Sequence, residues 1–199
     1  MSTSLFHGTL VRLAAVNPEA DAEVWARWTR DAEFLRLLDS EPARPASGKQ
    51  RKEEMENYPS DDNHYSFMIR TLTDDALIGF TGLWVGPHWI HGNGWVGIGL
   101  GDRTYWGKGY GADAMRLILR YAFTELNLHR VSLGVFAYNQ RAIESYNKVG
   151  FVLEGRVRHE MRRKGQSWDT LYMGILRDEW EKSQAKDGKQ GYEHQTFPR

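Results

Sequence analysis

A glycine-rich turn lies in the middle of the chain, between an apolar run and an amphipathic segment. The apolar run is residues 95–100, the turn is residues 105–112, and the amphipathic segment covers residues 113–126. A strand, a glycine-rich turn and a helix in this order place unpaired backbone N–H groups at a helix N-terminus, where the helix dipole is positive. Such a terminus binds phosphate, and glycines let a ligand approach the main chain closely. The turn therefore predicts a site for the pyrophosphate of a cofactor.

Two other phosphate-binding motifs can be tested against the same turn. Gly107, Gly109 and Ala112 have the spacing of a dinucleotide fingerprint, which requires an acidic residue about 20 positions further on, after the next parallel strand. The predicted strand at residues 130–137 carries no acid, which disfavours a dinucleotide site. Lys108 is not followed by Ser or Thr in the spacing of a Walker-type loop, so that motif is excluded.

Composition restricts the chemistry further. Lys plus Arg and Asp plus Glu both number 26, so the formal net charge of zero favours neither nucleic acid nor an anionic membrane as the main partner. The chain has no cysteine, which excludes a disulfide framework, a thiolate nucleophile and a cysteine–zinc site. No apolar run approaches the length of a membrane span, and residues 1–7 do not have the pattern of a signal peptide. We therefore expect a cytoplasmic protein.

Hydrophobic periodicity predicts an α+β fold. The sheet is expected to be mixed but mostly antiparallel, with about seven strands, helices on both faces and one crossover helix at its centre. One domain is expected at residues 9–178, with an N-terminal extension at 1–8 and a polar, poorly ordered tail at 181–199. The predicted strands are 9–15, 65–72, 76–85, 95–100, 130–137, 151–163 and 167–176. The predicted helices begin at Pro18, with a break near residues 29–31, and continue with 49–57, 113–126 and 139–149.

Two motifs together carry a resemblance to a known family. The first is Trp106-Gly107-Lys108-Gly109-Tyr110-Gly111, and the second, one strand later, is Asn139-x-x-Ala142-x-x-x-Tyr146-x-x-x-Gly150-Phe151. Over residues 9–176 the chain resembles the GNAT acyl-CoA-dependent N-acetyltransferases, and most of all the branch with ribosomal-protein N-terminal and polyamine acetyltransferases. The resemblance implies a three-layer α/β arrangement, with acetyl-CoA as cofactor. It also implies direct transfer to a primary amine: a protein N-terminus, a polyamine or another small amine. The alternative function is a non-catalytic acyl-CoA-binding or sensing domain.

The resemblance also implies a role for each matching residue. The pyrophosphate of coenzyme A would lie on the turn and the start of the next helix, at Trp106, Gly107, Lys108, Gly109, Tyr110, Gly111 and Ala112. A bulged strand at Ile98, Gly99 and Leu100 would pair with the pantetheine arm, beside a neighbouring strand from Arg130 that splays away. Asn139 would contact the arm or the substrate and assist catalysis, and Ala142 would contribute to cofactor binding. Tyr146 would lie near the thioester sulfur and protonate the leaving thiolate. Without the resemblance, Asn139 would be read as a helix N-cap and Tyr146 as a half-buried helix tyrosine.

Two positions depart from the family pattern. Trp106 stands where relatives often have Arg or Gln, and Trp95 stands where many carry a glutamate proposed as the base. The amine proton would then leave through water or to one of four side chains: His88, His91, Glu154 or His159. With Trp84 and Trp95, these residues form the predicted acceptor pocket, whose aromatic walls would suit a cationic amine. His88 and His91 lack a third ligand nearby, so we expect a surface loop and no metal there, while exposed aromatic residues between 84 and 95 suggest a homodimer.

Overall fold

The computed structural model describes residues 4–57, 63–86 and 91–190, which form one seven-stranded sheet with six α-helices. The elements are β1 (Val11–Ala14), α1 (Pro18–Trp28), α2 (Ala32–Leu38), α3 (Gly48–Glu56), β2 (His64–Thr71), β3 (Leu77–Trp84), β4 (Asn93–Leu100), α4 (Tyr110–Arg120), β5 (Arg130–Phe136), α5 (Gln140–Val149), β6 (Val152–Arg163), β7 (Gln166–Leu176) and α6 (Arg177–Gln190). The strand order is β1-β2-β3-β4-β5-β7-β6, and only β4 and β5 are parallel. The predicted fold class is confirmed.

The sheet divides between its two parallel strands. β4 and β5 pair at three positions, of which Trp95 opposite Ser132 is the last. β4 then continues to Leu100 and β5 to Phe136 without further pairing to each other. One arm of the sheet is therefore β1–β4, the other is β5–β7, and a gap opens between the arms toward the C-terminal ends of β4 and β5. We call this opening the β4–β5 gap.

The glycines of β4 do not produce the predicted bulge at residues 98–100. The β3–β4 register is continuous from Gly79 opposite Leu100 to Trp84 opposite Trp95, so that prediction is wrong. The glycines instead make room for neighbouring side chains. A Cβ atom at Gly99 would lie 3.0 Å from both Leu38 Cδ1 and Phe80 Cζ, which is too close for ordinary packing.

Local capping signals explain the helices before β2. Asn17 caps α1 by accepting a hydrogen bond from Ala20 N–H, and Pro18 occupies the first helical position. The predicted break follows, because the Asp31 carboxylate caps a new helix by accepting hydrogen bonds from the N–H groups of Glu33 and Phe34. α1 packs on the first arm of the sheet, with Trp25 stacked on Phe80 at 4.3 Å between ring centroids.

Two helix boundaries differ from the sequence prediction. α4 begins three residues early, at Tyr110, and its α-helical part ends at Arg120, where a π-helical turn at Tyr121–Glu125 continues it. Of the tail expected at 181–199, residues as far as Gln190 are helical, since α6 extends from Arg177 and its Trp180 packs on Phe123 at 5.2 Å between ring centroids; residues 191–199 lie outside the described residues. Among the described residues, no helix has both the length and the apolar character that crossing a membrane requires.

Candidate active site

The glycine-rich turn leaves the start of α4 open to a ligand. Gly107 and Gly109 have φ angles of +72° and +92°, a region that L-residues rarely adopt. Gly109 is the N-cap of α4, and no side chain of the described residues caps the helix. The N–H groups in the first turn, at Tyr110, Gly111 and Ala112, are thus available to an anion beside an exposed Lys108. A Cβ atom at Gly107 would meet no atom within 4 Å, so the residues present fit a bound pyrophosphate.

Trp106 anchors the turn to β4, and a guanidinium group lies over its ring. Its indole Nε1 donates a hydrogen bond to the Leu100 carbonyl at 2.7 Å. The guanidinium carbon of Arg141, in the first turn of α5, lies 3.9 Å from the centroid of the Trp106 ring. Desolvation lowers the pKa of Arg141, which forms no ion pair with a described carboxylate. Tryptophan at this position therefore brings a free guanidinium beside the turn, and the sequence analysis missed Arg141 although it lies inside the second motif.

A buried carboxylate fixes the first turn of α4 to the N-terminal segment. Asp113 is 4% exposed and accepts hydrogen bonds from the N–H groups of Thr9, Leu10 and Val11 at 2.7 to 3.0 Å, and from the Thr9 hydroxyl. Leu10 reaches the turn itself, because its Cδ1 would lie 3.4 Å from a Cβ atom at Gly109. These contacts hold the open N-terminus of α4 against the N-terminal segment.

The second motif forms α5 and its cap. Asn139 Oδ1 accepts a hydrogen bond from Ala142 N–H at 3.3 Å, so the N-cap interpretation holds. Tyr146 is half-buried against the core and meets Phe151 edge to face at 6.0 Å between ring centroids. Burial raises the pKa of Tyr146 to about 12. Its hydroxyl makes no hydrogen bond to a described residue and stays protonated at neutral pH, so it can donate a hydrogen bond to a ligand.

Aromatic side chains lie on the open sheet face where the β4–β5 pairing ends. Trp84 and Trp95 are cross-strand neighbours and are 40% and 41% exposed, so they are not core residues and can form a pocket wall. Trp95 meets Tyr172 edge to face at 5.8 Å, and His64 stacks on Trp84 at 4.5 Å. The sequence did not indicate Tyr172 or His64, because both come from other strands.

Three of the four predicted bases lie among the described residues. Glu154 forms an ion pair with Arg130. His159 is exposed in an irregular part of β6, with a φ angle of +55°. Its backbone N–H donates a hydrogen bond to the Asp169 carboxylate. His91 is exposed just before β4, and His88 lies outside the described residues. Within the described part of the chain, no three His, Asp or Glu side chains are arranged to hold a metal.

Comparison with known proteins agrees with this geometry. Residues 11–152 match the model of the acetyltransferase (GNAT) domain. The chain is 36% identical to "Probable N-acetyltransferase YjcK" of Bacillus subtilis over 115 residues, which span 58% of this chain and 63% of that protein. It is 38% identical to the spermidine N(1)-acetyltransferase of Escherichia coli over 76 residues, 38% of this chain and 41% of that protein.

The fold is also similar to a solved structure, the spermidine N-acetyltransferase from Vibrio cholerae in complex with CoA and spermine. The TM-score is 0.75 at 25% identity, covering 86% of this chain and 98% of that one. This structural match and the domain match confirm the family to which the two sequence motifs pointed. The chain belongs to the GNAT family of acetyltransferases, and it is an acyltransferase that takes its acetyl group from acetyl-CoA.

Proposed function

We propose that the protein moves an acetyl group directly from acetyl-CoA to a primary amine, with both substrates bound at once in the β4–β5 gap. The observation that carries this proposal is the pairing of β4 with β5 over three residues only, ending at Trp95 and Ser132. Beyond Trp95 the edge of β4 that faces the gap pairs with no described strand, so its backbone can pair with the amides of a pantetheine arm. The open start of α4 lies just after β4, on the path that such an arm would follow.

The cofactor's charged end would lie on the glycine turn. The N–H groups from Gly107 to Ala112 would donate to the pyrophosphate, and Lys108 and Arg141 would add positive charge. Ile98, Gly99 and Leu100 would line the pantetheine arm, and the amide of Asn139, whose oxygen caps α5, has its NH₂ group left to donate to the arm.

Acetyl-CoA supplies an activated carbonyl, and the protein groups act around it. A new C–N bond forms as the C–S bond breaks, and a backbone N–H on the open edge of β4 would stabilise the negative charge on the carbonyl oxygen. Tyr146 would donate a hydrogen bond to the departing sulfur. Because its pKa is about 12 and that of a thiol is about 8.5, complete proton transfer would be uphill by roughly 5 kcal/mol. Tyr146 would therefore stabilise the thiolate mainly as a hydrogen-bond donor. The absence of cysteine agrees with direct transfer.

The acceptor must be neutral before it attacks, and the site offers little help in deprotonating it. Trp95 cannot act as a base, and Glu154 is engaged by Arg130. An α-amino group, with a pKa near 8, is uncharged in about a quarter of molecules at pH 7.5, whereas a lysine-type amine, near 10.4, is uncharged in roughly one in a thousand. The faces of Trp84 and Trp95 would bind the carbon chain or a distant cation of the amine. Relatives that acetylate spermidine support a small-amine acceptor.

The test is a thiol-release assay with purified protein and acetyl-CoA. The amines are spermidine, a peptide with a free α-amino group, and the same peptide blocked at its N-terminus but carrying a lysine. The proposal expects amine-dependent thiol release, equal in amount to the acetylated amine found by mass spectrometry. It also expects rates at pH 7.5 that fall as the amine pKa rises. Tight binding of acetyl-CoA without transfer to any of the amines would favour a non-catalytic acyl-CoA-binding domain. Such a function would agree with Trp95 at the position where many relatives have a base.

The cytoplasmic location and the homodimer stay predictions.

A further inference from the structure

The last residue of β6, Arg163, is bound to the end of a helix from the other half of the molecule. Its Nη1 donates to the Arg36 carbonyl at 2.5 Å, and its Nη2 lies 3.2 to 3.4 Å from three further carbonyl oxygens, of Asp39, Ser40 and Glu41. These carbonyls belong to the last turn of α2 and the residues after it, where the helix dipole is negative. One guanidinium thus satisfies several acceptors that the helix end leaves unpaired.

Tyr138, which follows β5, completes this arrangement. Its hydroxyl donates to the same Arg36 carbonyl at 2.6 Å and accepts a hydrogen bond from Arg163 Nη1 at 2.9 Å. The Tyr138 ring is held between Phe136, on which it stacks at 5.3 Å, and Trp168, which it meets edge to face at 5.2 Å. We call Arg163, Tyr138 and the four carbonyl groups the α2 clasp.

The clasp connects the two arms of the divided sheet. Leu38, at the end of α2, packs over Gly99 of β4, and Phe34 meets Trp28 of α1 at 6.4 Å, so α2 rests on the first arm. Arg163 and Tyr138 belong to the second arm. Since β4 and β5 do not pair beyond Trp95 and Ser132, the end of α2 spans the β4–β5 gap.

We propose that Arg163 is a positioning residue that closes the end of α2 over the β4–β5 gap and so orients the acceptor amine and excludes water from the thioester. This proposal rests on the proposed function, because it assigns the roof of that same site. Arg163 need not touch either substrate; it acts through the backbone of α2. Its loss should therefore affect the acceptor side of the gap and leave the glycine turn unchanged.

The test compares Arg163→Met with Arg162→Met. Arg162 is the preceding residue of β6, is exposed and lies opposite Ser167 of β7. Successive side chains of a strand point to opposite faces, so its replacement makes the same change of charge without touching the clasp. For Arg163→Met we expect kcat to fall by about tenfold to a hundredfold because the amine is misplaced. The KM for the amine should rise, and the KM for acetyl-CoA should stay near the wild-type value. Hydrolysis of acetyl-CoA to acetate and free thiol without amine should increase.

Two further variants separate positioning from simple stabilisation. Arg163→Lys keeps the charge but cannot reach all four carbonyl oxygens, so it should restore the KM for the amine in part. Tyr138→Phe should act in the same direction as Arg163→Met, and the double variant should lose less than the product of the two single effects. Arg162→Met should match the wild type. Equal changes in both KM values for Arg163→Met, or none in either, would overturn the proposal.

Hydrogen exchange separates this proposal from the function on which it rests. If wild-type protein acetylates no amine, the proposed function fails, and the clasp is then judged by exchange of the backbone amides of residues 36–41. Faster exchange there in Arg163→Met but not in Arg162→Met, together with faster acetyl-CoA hydrolysis, would support closure of the gap by α2. Unchanged exchange would contradict it.

Discussion

The role of the glycine turn can be tested with two alanine substitutions that carry nearly the same backbone strain. Gly107, in the turn, has a φ angle of +72°, and Gly165, in the β6–β7 hairpin, has a φ angle of +74°. A Cβ atom at either position meets no atom within 4 Å, so neither substitution creates a clash. Each should lower the free energy of unfolding by about 1–2 kcal/mol, the cost of a left-handed conformation for an L-residue.

Only one of the two positions faces the proposed pyrophosphate. A methyl group at Gly107 would keep a phosphate from its N–H donors, and losing one hydrogen bond to a charged group costs about 1.5–3 kcal/mol, or tenfold to a hundredfold in affinity. Gly165→Ala should bind coenzyme A like the wild type. Urea unfolding measures the loss of folding stability, and isothermal titration calorimetry measures the affinity for coenzyme A. Coenzyme A carries no acetyl group, so turnover does not complicate the titration.

Equal affinity of Gly107→Ala and Gly165→Ala for coenzyme A would refute the assignment of the turn to the pyrophosphate. Gly109→Ala extends the test, because Gly109 is the N-cap of α4 and has a φ angle of +92°. It should weaken coenzyme A binding at least as much as Gly107→Ala does. Wild-type affinity in both turn variants would show that the cofactor's charge is held elsewhere.

Four further predictions concern the side chains of the site. Tyr146→Phe should lower kcat about a hundredfold with little change in the KM for acetyl-CoA; an unchanged kcat would remove Tyr146 from the chemistry. Because burial raises the pKa of Tyr146 to about 12, kcat/KM should rise with pH as the amine loses its proton and should not fall until Tyr146 itself ionises, close to that pKa; a decline between pH 8 and 10 would contradict this. Asp113→Ala leaves three N–H groups unpaired and should reduce the free energy of unfolding by roughly 3 kcal/mol, Asp113→Asn by less; urea unfolding decides, and equal losses would argue against the carboxylate's role. Trp95→Glu should raise kcat/KM for the lysine amine at pH 7.5 about tenfold or more by supplying a base; a lower value would place Trp95 in acceptor binding.

The fold was predictable because its signals are local. Period-two and period-3.6 patterns, the caps at Asn17 and Asn139 and the glycines of the turn each act over a few residues. The bulge was predicted wrongly because a glycine in a strand has more than one possible cause. Glycines in β4 suggested a bulge, but Gly99 lacks a side chain where Leu38 and Phe80 pack from other elements. The polar composition after Arg177 did not indicate α6, whose Trp180 packs on Phe123.

The candidate site was predictable only where it coincides with the two motifs. The open helix end at Gly109 and the positions of Asn139 and Tyr146 in α5 follow from short spacings. Arg141 over Trp106, or Arg163 on the end of α2, cannot be read from spacing, because each contact joins residues more than thirty positions apart. Trp84 and Trp95 are exposed, as the predicted acceptor pocket requires, whereas the ion pair of Glu154 with Arg130 joins two strands and has no signal in the sequence.

The most direct test of the account is a crystal structure of the protein with coenzyme A. The account predicts the pyrophosphate on the N–H groups from Gly107 to Ala112 and the pantetheine arm along β4 from Gly97 to Leu100. It further predicts the sulfur inside the β4–β5 gap, within hydrogen-bonding distance of the Tyr146 hydroxyl. A pyrophosphate bound away from the turn, or a sulfur outside the gap, would contradict it.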